Sequence, residues 1–137
     1  MSALLLDTGP LVAYLNGNDQ HHAWAVAQFR AREEPLLTCE PVWTEAAYLI
    51  ARRGGQPDCL WSFLRDGAVQ FAFSLKTDYE SVAALMTRYA NIPMSLADAC
   101  LVRMSELKAD CKVFTTDSHF RLYRRLGRQV IPLVAPC

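Results

Sequence analysis

The sequence predicts an α/β protein built on a largely parallel sheet with helices on both faces. Short runs of β-forming residues alternate with longer stretches of helical periodicity along the whole chain. Pro, Gly, Ser and Asp stand where helices must start or stop, and two of the strand runs close on an aspartate. Parallel neighbours need long crossovers, usually helical, and the crossovers then cover the sheet.

The first strand is read over residues 3–6, and Pro10 suits the first position of a helix over 10–15. Asp19 can cap a helix over 20–32, and residues 36–39 read as a second strand. Pro41 opens a helix over 42–53 that stops at Gly54-Gly55, and Pro57 opens a short one ending at Asp66-Gly67. A strand over 69–73 precedes a helix over 77–89, and Ser95 introduces another over 96–108. The chain is then expected to form a strand over 113–116, a helix over 120–126 stopped by Gly127, and a last strand over 130–133.

At 137 residues the chain fits one domain, 1–137, with a single substantial core and no linker or repeat. Its 52% hydrophobic and 20% charged content argues against disorder. Net charge is zero, so a nucleic-acid partner would require positive charge to be segregated on one face. Five cysteines, odd in number and without a CxxC pair, read as reduced thiols. The apolar N-terminal run lacks a basic leader and is interrupted by Asp7, and no later run would span a bilayer. The expectation is a soluble, cytoplasmic protein.

Four carboxylates hold the chemistry. Asp7 closes the first strand, Glu45 lies at the margin of the apolar stripe of Val42, Ala46, Leu49 and Ile50, Asp98 follows Ser95-Leu96-Ala97, and Asp117 follows Val113-Phe114-Thr115-Thr116. Taken singly, each has a structural explanation: a turn residue for Asp7, a solvated helix position for Glu45, a capping box for Asp98 and a helix cap for Asp117. Taken together, two strand-end acids, one acid at a helix start and one on a flanking helix all open onto the edge where such sheets bind ligands. Four converging acids repel one another, and a hard divalent cation, Mg²⁺ or Mn²⁺, is the usual compensation. Thr8, Thr44, Thr116 and Ser118 flank three of the acids and can orient them.

The pieces Leu6-Asp7-Thr8-Gly9-Pro10-Leu11-Val12-Ala13, Glu45, Ser95-Leu96-Ala97-Asp98-Ala99 and Phe114-Thr115-Thr116-Asp117-Ser118-His119-Phe120, followed by Tyr123-Arg124, resemble the PIN-domain family, specifically toxins of the VapC type. They occur in the family's order and span nearly the whole chain. The resemblance implies a three-layer α/β/α sandwich that binds one or two Mg²⁺ or Mn²⁺ ions and cleaves RNA. Asp7, Glu45, Asp98 and Asp117 would form the metal site, supported by Thr8, Thr116 and Ser118. It further implies a cognate antitoxin and a homodimer. Many relatives carry a second acid where His119 stands, which leaves the second ion, or the share of Asp117 in holding it, open, and a general-acid role for His119 is conceivable.

Arg121, Arg124, Arg125 and Arg128 cluster beside the site and are candidates for phosphate contact, while the interleaved Phe120 and Tyr123 read as core. Trp43, Trp61 and Phe63 read as core or as an interface anchor. A different class, a PIN-like module that binds RNA or protein without cutting, stays open. A phosphatase of the haloacid-dehalogenase type would need a second Asp where Gly9 stands, and a receiver domain an acidic pair at the first strand end.

Overall fold

The computed structural model describes residues 2–137. Among them the chain runs β1 (Ala3–Leu6), α1 (Thr8–Leu15), α2 (His22–Ala31), β2 (Leu36–Thr38), α3 (Glu40–Arg52), α4 (Asp58–Arg65) and β3 (Val69–Phe71). It continues through α5 (Leu75–Arg88), α6 (Leu96–Leu107), β4 (Cys111–Phe114), a 3₁₀ turn (Ser118–Arg121), β5 (Arg124–Arg125), β6 (Gln129–Val130) and β7 (Leu133–Val134). Five strands form one sheet in the order β3-β2-β1-β4-β7, each adjacent pair parallel, with helices on both faces.

Strand alternation divides the core into two layers. Leu4 and Leu6 of β1 and Phe114 of β4 join Leu11, Trp43, Ala46 and Leu60 in one cluster. Leu5, Cys111 and Val113, one residue out of phase, join Val82, Leu85, Leu101 and Val102 of α5 and α6 in the other. From β1 the chain first adds β2 and β3 on one side, then returns to place β4 on the other. The strand order therefore reverses between β1 and β4, and a crevice opens at their C-terminal ends.

Several expected boundaries shift for identifiable reasons. Helix α1 begins at Thr8 because the Asp7 carboxylate caps it, leaving Pro10 inside the first turn. Asp19 accepts a hydrogen bond from His21 N at 2.8 Å and so shapes the turn before α2 rather than capping the helix. Helix α5 begins at Leu75, since Ser74 accepts from Thr77 N. The strand expected over 130–133 is two short pieces, β6 and β7: Pro132 has no N–H to give, and its carbonyl accepts from Val113 N at 2.8 Å instead.

The helix expected over 120–126 is absent. The 3₁₀ turn leads into an antiparallel ribbon in which Arg124 pairs with Val130 and Arg125 with Gln129. Leu126 and Gly127, at φ 52° and 82°, turn the chain back. Arg125 decides this geometry. Its side chain is 5% exposed and donates to the carbonyls of Lys108 and Ala109, just after α6, at 3.0 and 3.4 Å. A helix over this stretch would remove the guanidinium from those oxygens. Arg125 is therefore a structural residue, and its expected role in phosphate contact is corrected. Phe120 and Tyr123 are fully buried, as expected.

Arg125→Gln should destabilise the protein by about 2 kcal/mol, because it removes the charged hydrogen bonds of a buried guanidinium to the main-chain oxygens of Lys108 and Ala109. Arg121→Gln, at an exposed position, should stay within about 0.5 kcal/mol of the parent. Urea unfolding of both variants checks the contrast, and equal midpoints would refute it.

Candidate active site

Asp7 follows β1 and takes its place at the crevice because its main-chain N–H completes the β1–β4 ladder on Phe114 O at 3.0 Å. Its side chain is 4% exposed. Oδ1 accepts from Thr8 N at 2.7 Å, and Oδ2 accepts from the Thr115 hydroxyl at 2.6 Å. The same Thr115 oxygen accepts from Asp117 N at 2.9 Å, so one hydroxyl links the two acids that end β1 and follow β4. Asp117 Oδ1 in turn accepts from His119 N at 2.9 Å and lies 3.3 Å from His119 Nδ1.

Asp98 enters from α6. It forms the capping box: Ser95 Oγ accepts from Asp98 N at 3.0 Å, and Asp98 Oδ2 accepts from Ser95 N at 3.4 Å. The Tyr123 hydroxyl also donates to Asp98 Oδ2, at 3.0 Å. Glu45 comes from α3, where its Oε1 accepts from the Thr8 hydroxyl at 2.8 Å. All four carboxylates line one open cavity of about 710 Å³, together with Thr8, Thr116 and His119.

Burial sets the electrostatics. It pushes Asp7 up to about 7 from 3.8, against the opposing pull of the Thr115 and Thr8 hydrogen bonds, and the charges of Asp98 and Asp117 push in the same direction as burial. Burial likewise raises Asp98, opposed by Tyr123 and Ser95 N and reinforced by Asp117. Burial and then the Asp98 charge raise Tyr123, which keeps its proton and remains a donor. Asp7 and Asp98 are thus acids whose charge the protein alone does not fully compensate.

The donor set is all oxygen, which suits a hard divalent cation. Among the described residues, however, no group of three or more His, Cys, Asp and Glu side chains is spaced to hold an ion directly. Each acid is turned into a protein hydrogen bond. Mg²⁺ is commonly held by one or two carboxylates and several waters, so the arrangement fits it better than an ion needing a complete protein cage. The cysteines do not compete: all five are free, and three of them, Cys39, Cys100 and Cys111, are buried.

Of the expected supporting residues, Thr8 bonds an acid directly and Thr116 lines the cavity. Thr116 also explains Gly9, since a Cβ there would stand 2.0 Å from Thr116 Oγ1. Thr44 instead bonds back to Glu40 O at 3.1 Å, and Ser118 is exposed. Thr115 and Tyr123, neither of them among the supporting residues expected from the sequence, do the orienting instead. The Thr115-x-Asp117 spacing is a local signal, a hydroxyl able to accept from the N–H two residues on. Nothing local signals Tyr123, which meets Asp98 across 25 residues. Arg121, Arg124 and Arg125 do not line the cavity, whereas Arg53, Tyr48 and His21 do.

Known proteins resemble this chain in sequence and in fold. The family model described as PIN domain matches residues 4–126. Ribonuclease VapC26 of Mycobacterium tuberculosis is 27% identical over 128 residues, covering 90% of this chain and 94% of that protein. The crystal structure of VapC20 from the same organism, described as a sarcin-ricin loop cleaving toxin, superposes with a TM-score of 0.77 at 18% identity, over 93% of this chain and 99% of that one. At that identity the superposition shows the shared fold.

Asp7 predicts a pH dependence of stability. Its folded-state pKa of about 7 lies above the unfolded value, so the folded protein binds more protons, and stability should fall as pH rises from about 4 through about 7, by at most about 4 kcal/mol. Asp7→Asn should flatten that decline. Urea unfolding in chelator at about pH 5 and about pH 8 tests it; the same loss of stability in both proteins would refute the assignment.

Proposed function

We propose that this chain, which belongs to the PIN-domain family, is a metal-dependent endoribonuclease and the toxin half of a toxin–antitoxin pair. The observation that carries the reading is the convergence of Asp7, Glu45, Asp98 and Asp117, from four separate segments, on one cavity at the point where the strand order reverses. The distant relation to Ribonuclease VapC26 supports RNA as the substrate. The same kinship supports a cognate antitoxin, a homodimer and a cytoplasmic setting; among the described residues, no helix is long and apolar enough to cross a membrane.

In this reading the four acids would hold Mg²⁺ or Mn²⁺. Such an ion, when bound, lowers the pKa of water and stabilises charge on the phosphate, so no side-chain nucleophile is needed. Thr115 and Thr8 keep Asp7 aimed into the cavity, Thr8 also fixes Glu45, and Tyr123 fixes Asp98. His119 lines the same cavity beside Asp117, which supports a general-acid role for it toward the leaving oxygen.

Purified protein should cleave RNA with added Mg²⁺ or Mn²⁺ and not with chelator, and Asp7→Asn or Asp98→Asn should abolish cleavage. Mn²⁺ at about a hundredfold excess over its dissociation constant should stabilise the parent by about 2.7 kcal/mol, and Asp98→Asn much less. If Asp98 serves only the capping box, the variant loses on the order of 1 kcal/mol with or without metal. Thermal melts in chelator and in Mn²⁺ separate these outcomes, and RNA binding without metal-dependent cleavage would favour a non-cutting module.

A further inference from the structure

Tyr48 is 59% exposed on a helix whose Val42, Trp43, Ala46 and Ile50 are buried in the core. It stands three residues after Glu45, so the two side chains share a face, with Cβ atoms about 5–6 Å apart. Tyr48 and Arg53 both line the cavity that holds the four acids. Arg53 lies eight residues beyond Glu45, about 12 Å further along the helix axis. Arg52 places its guanidinium carbon 5.6 Å from the Tyr48 ring centroid, and its Nη1 donates to the Tyr48 hydroxyl at 3.3 Å. These two contacts hold the ring while much of its area stays open to solvent.

We infer that Tyr48, held by Arg52, is a stacking platform for an unpaired base of single-stranded RNA next to the scissile phosphate, with Arg53 receiving a phosphate further along the groove. The inference rests on the ribonuclease reading and names the substrate class its site takes. Charge favours it. The inner cavity wall is acidic and tolerates an uncharged base more readily than a bare phosphate, whereas Arg53 attracts one. Stacking on an aromatic ring requires a base freed from a duplex, and every base has a face to offer, so the platform selects single strands rather than a sequence.

The test combines Tyr48→Ala, Tyr48→Phe and Tyr48→Trp with a fluorescent single-stranded RNA, intact or with one abasic nucleotide placed at successive positions. Binding is read by anisotropy in chelator, cleavage in Mn²⁺, and folding by thermal melts. Tyr48→Ala should weaken binding by about tenfold, while Phe and Trp keep it within about twofold. An abasic nucleotide beside the cut site should weaken binding to the parent and leave Tyr48→Ala unaffected, since the two changes remove the same contact. If the abasic penalty is the same in both proteins while cleavage remains metal-dependent, the platform is overturned and the ribonuclease reading stands. A changed oligomeric state in Tyr48→Ala with the abasic penalty intact assigns the ring to contact between copies and likewise overturns it. Failure of the parent to bind or cleave RNA even with Mn²⁺ overturns both.

Discussion

The carboxylate of Asp7 is buried at the end of the central strand, and the crevice is organised around the need to accommodate it. A charge in that position loses its water, and the protein returns only two donors, Thr8 N and the Thr115 hydroxyl. Those donors do not restore an ordinary acidity, because burial outweighs them and two more acids face the same space. A site that keeps such a group is poised either to retain a proton or to take up a cation. The strand order makes the placement unavoidable: β1 is the central strand, and whatever follows it emerges where the two halves of the sheet diverge.

The elements around the crevice serve two purposes at once. Asp98 completes the capping box that starts α6, so its backbone position is paid for by helix formation whatever its side chain does. The same Oδ2 that accepts from Ser95 N is also held by Tyr123, whose ring packs between Tyr89 and Phe120 at centroid separations of 5.2 Å. Tyr89 in turn accepts from Arg124 N at 2.9 Å, and Arg125 ties the same ribbon to the end of α6. The C-terminal ribbon, which begins directly after Tyr123, thus helps to orient an acid that stands on a different element of the crevice. Thr115 does the same across the β1–β4 boundary, joining two acids through one hydroxyl.

The three-layer fold was legible because each strand's alternation and each helix's caps are local properties. The Leu4-Leu5-Leu6 run divides between two cores as a covered parallel strand must, and Ser95-x-x-Asp98 starts a helix where its capping chemistry says it should. Legibility failed where a distant partner outvoted local pattern. Residues 120–126 have helical periodicity and a following Gly, yet the buried guanidinium of Arg125 and its main-chain acceptors draw the stretch into a ribbon. The arginine cluster misled for the same reason, since counting charges does not reveal which one is inside.

What the sequence determined by itself was the order of elements as far as β4 and the four acids, three of them at strand ends or a helix start and Glu45 within a helix, all of which follow from spacing within a few residues. Only the tertiary structure decided which hydroxyls orient those acids, that Tyr48 and Arg53 rather than Arg125 face the cavity, and how strongly Asp7 is desolvated. These depend on contacts between segments tens of residues apart. Local propensity can place a carboxylate at the end of a strand, but its acidity and its neighbours are set by what the rest of the chain packs around it.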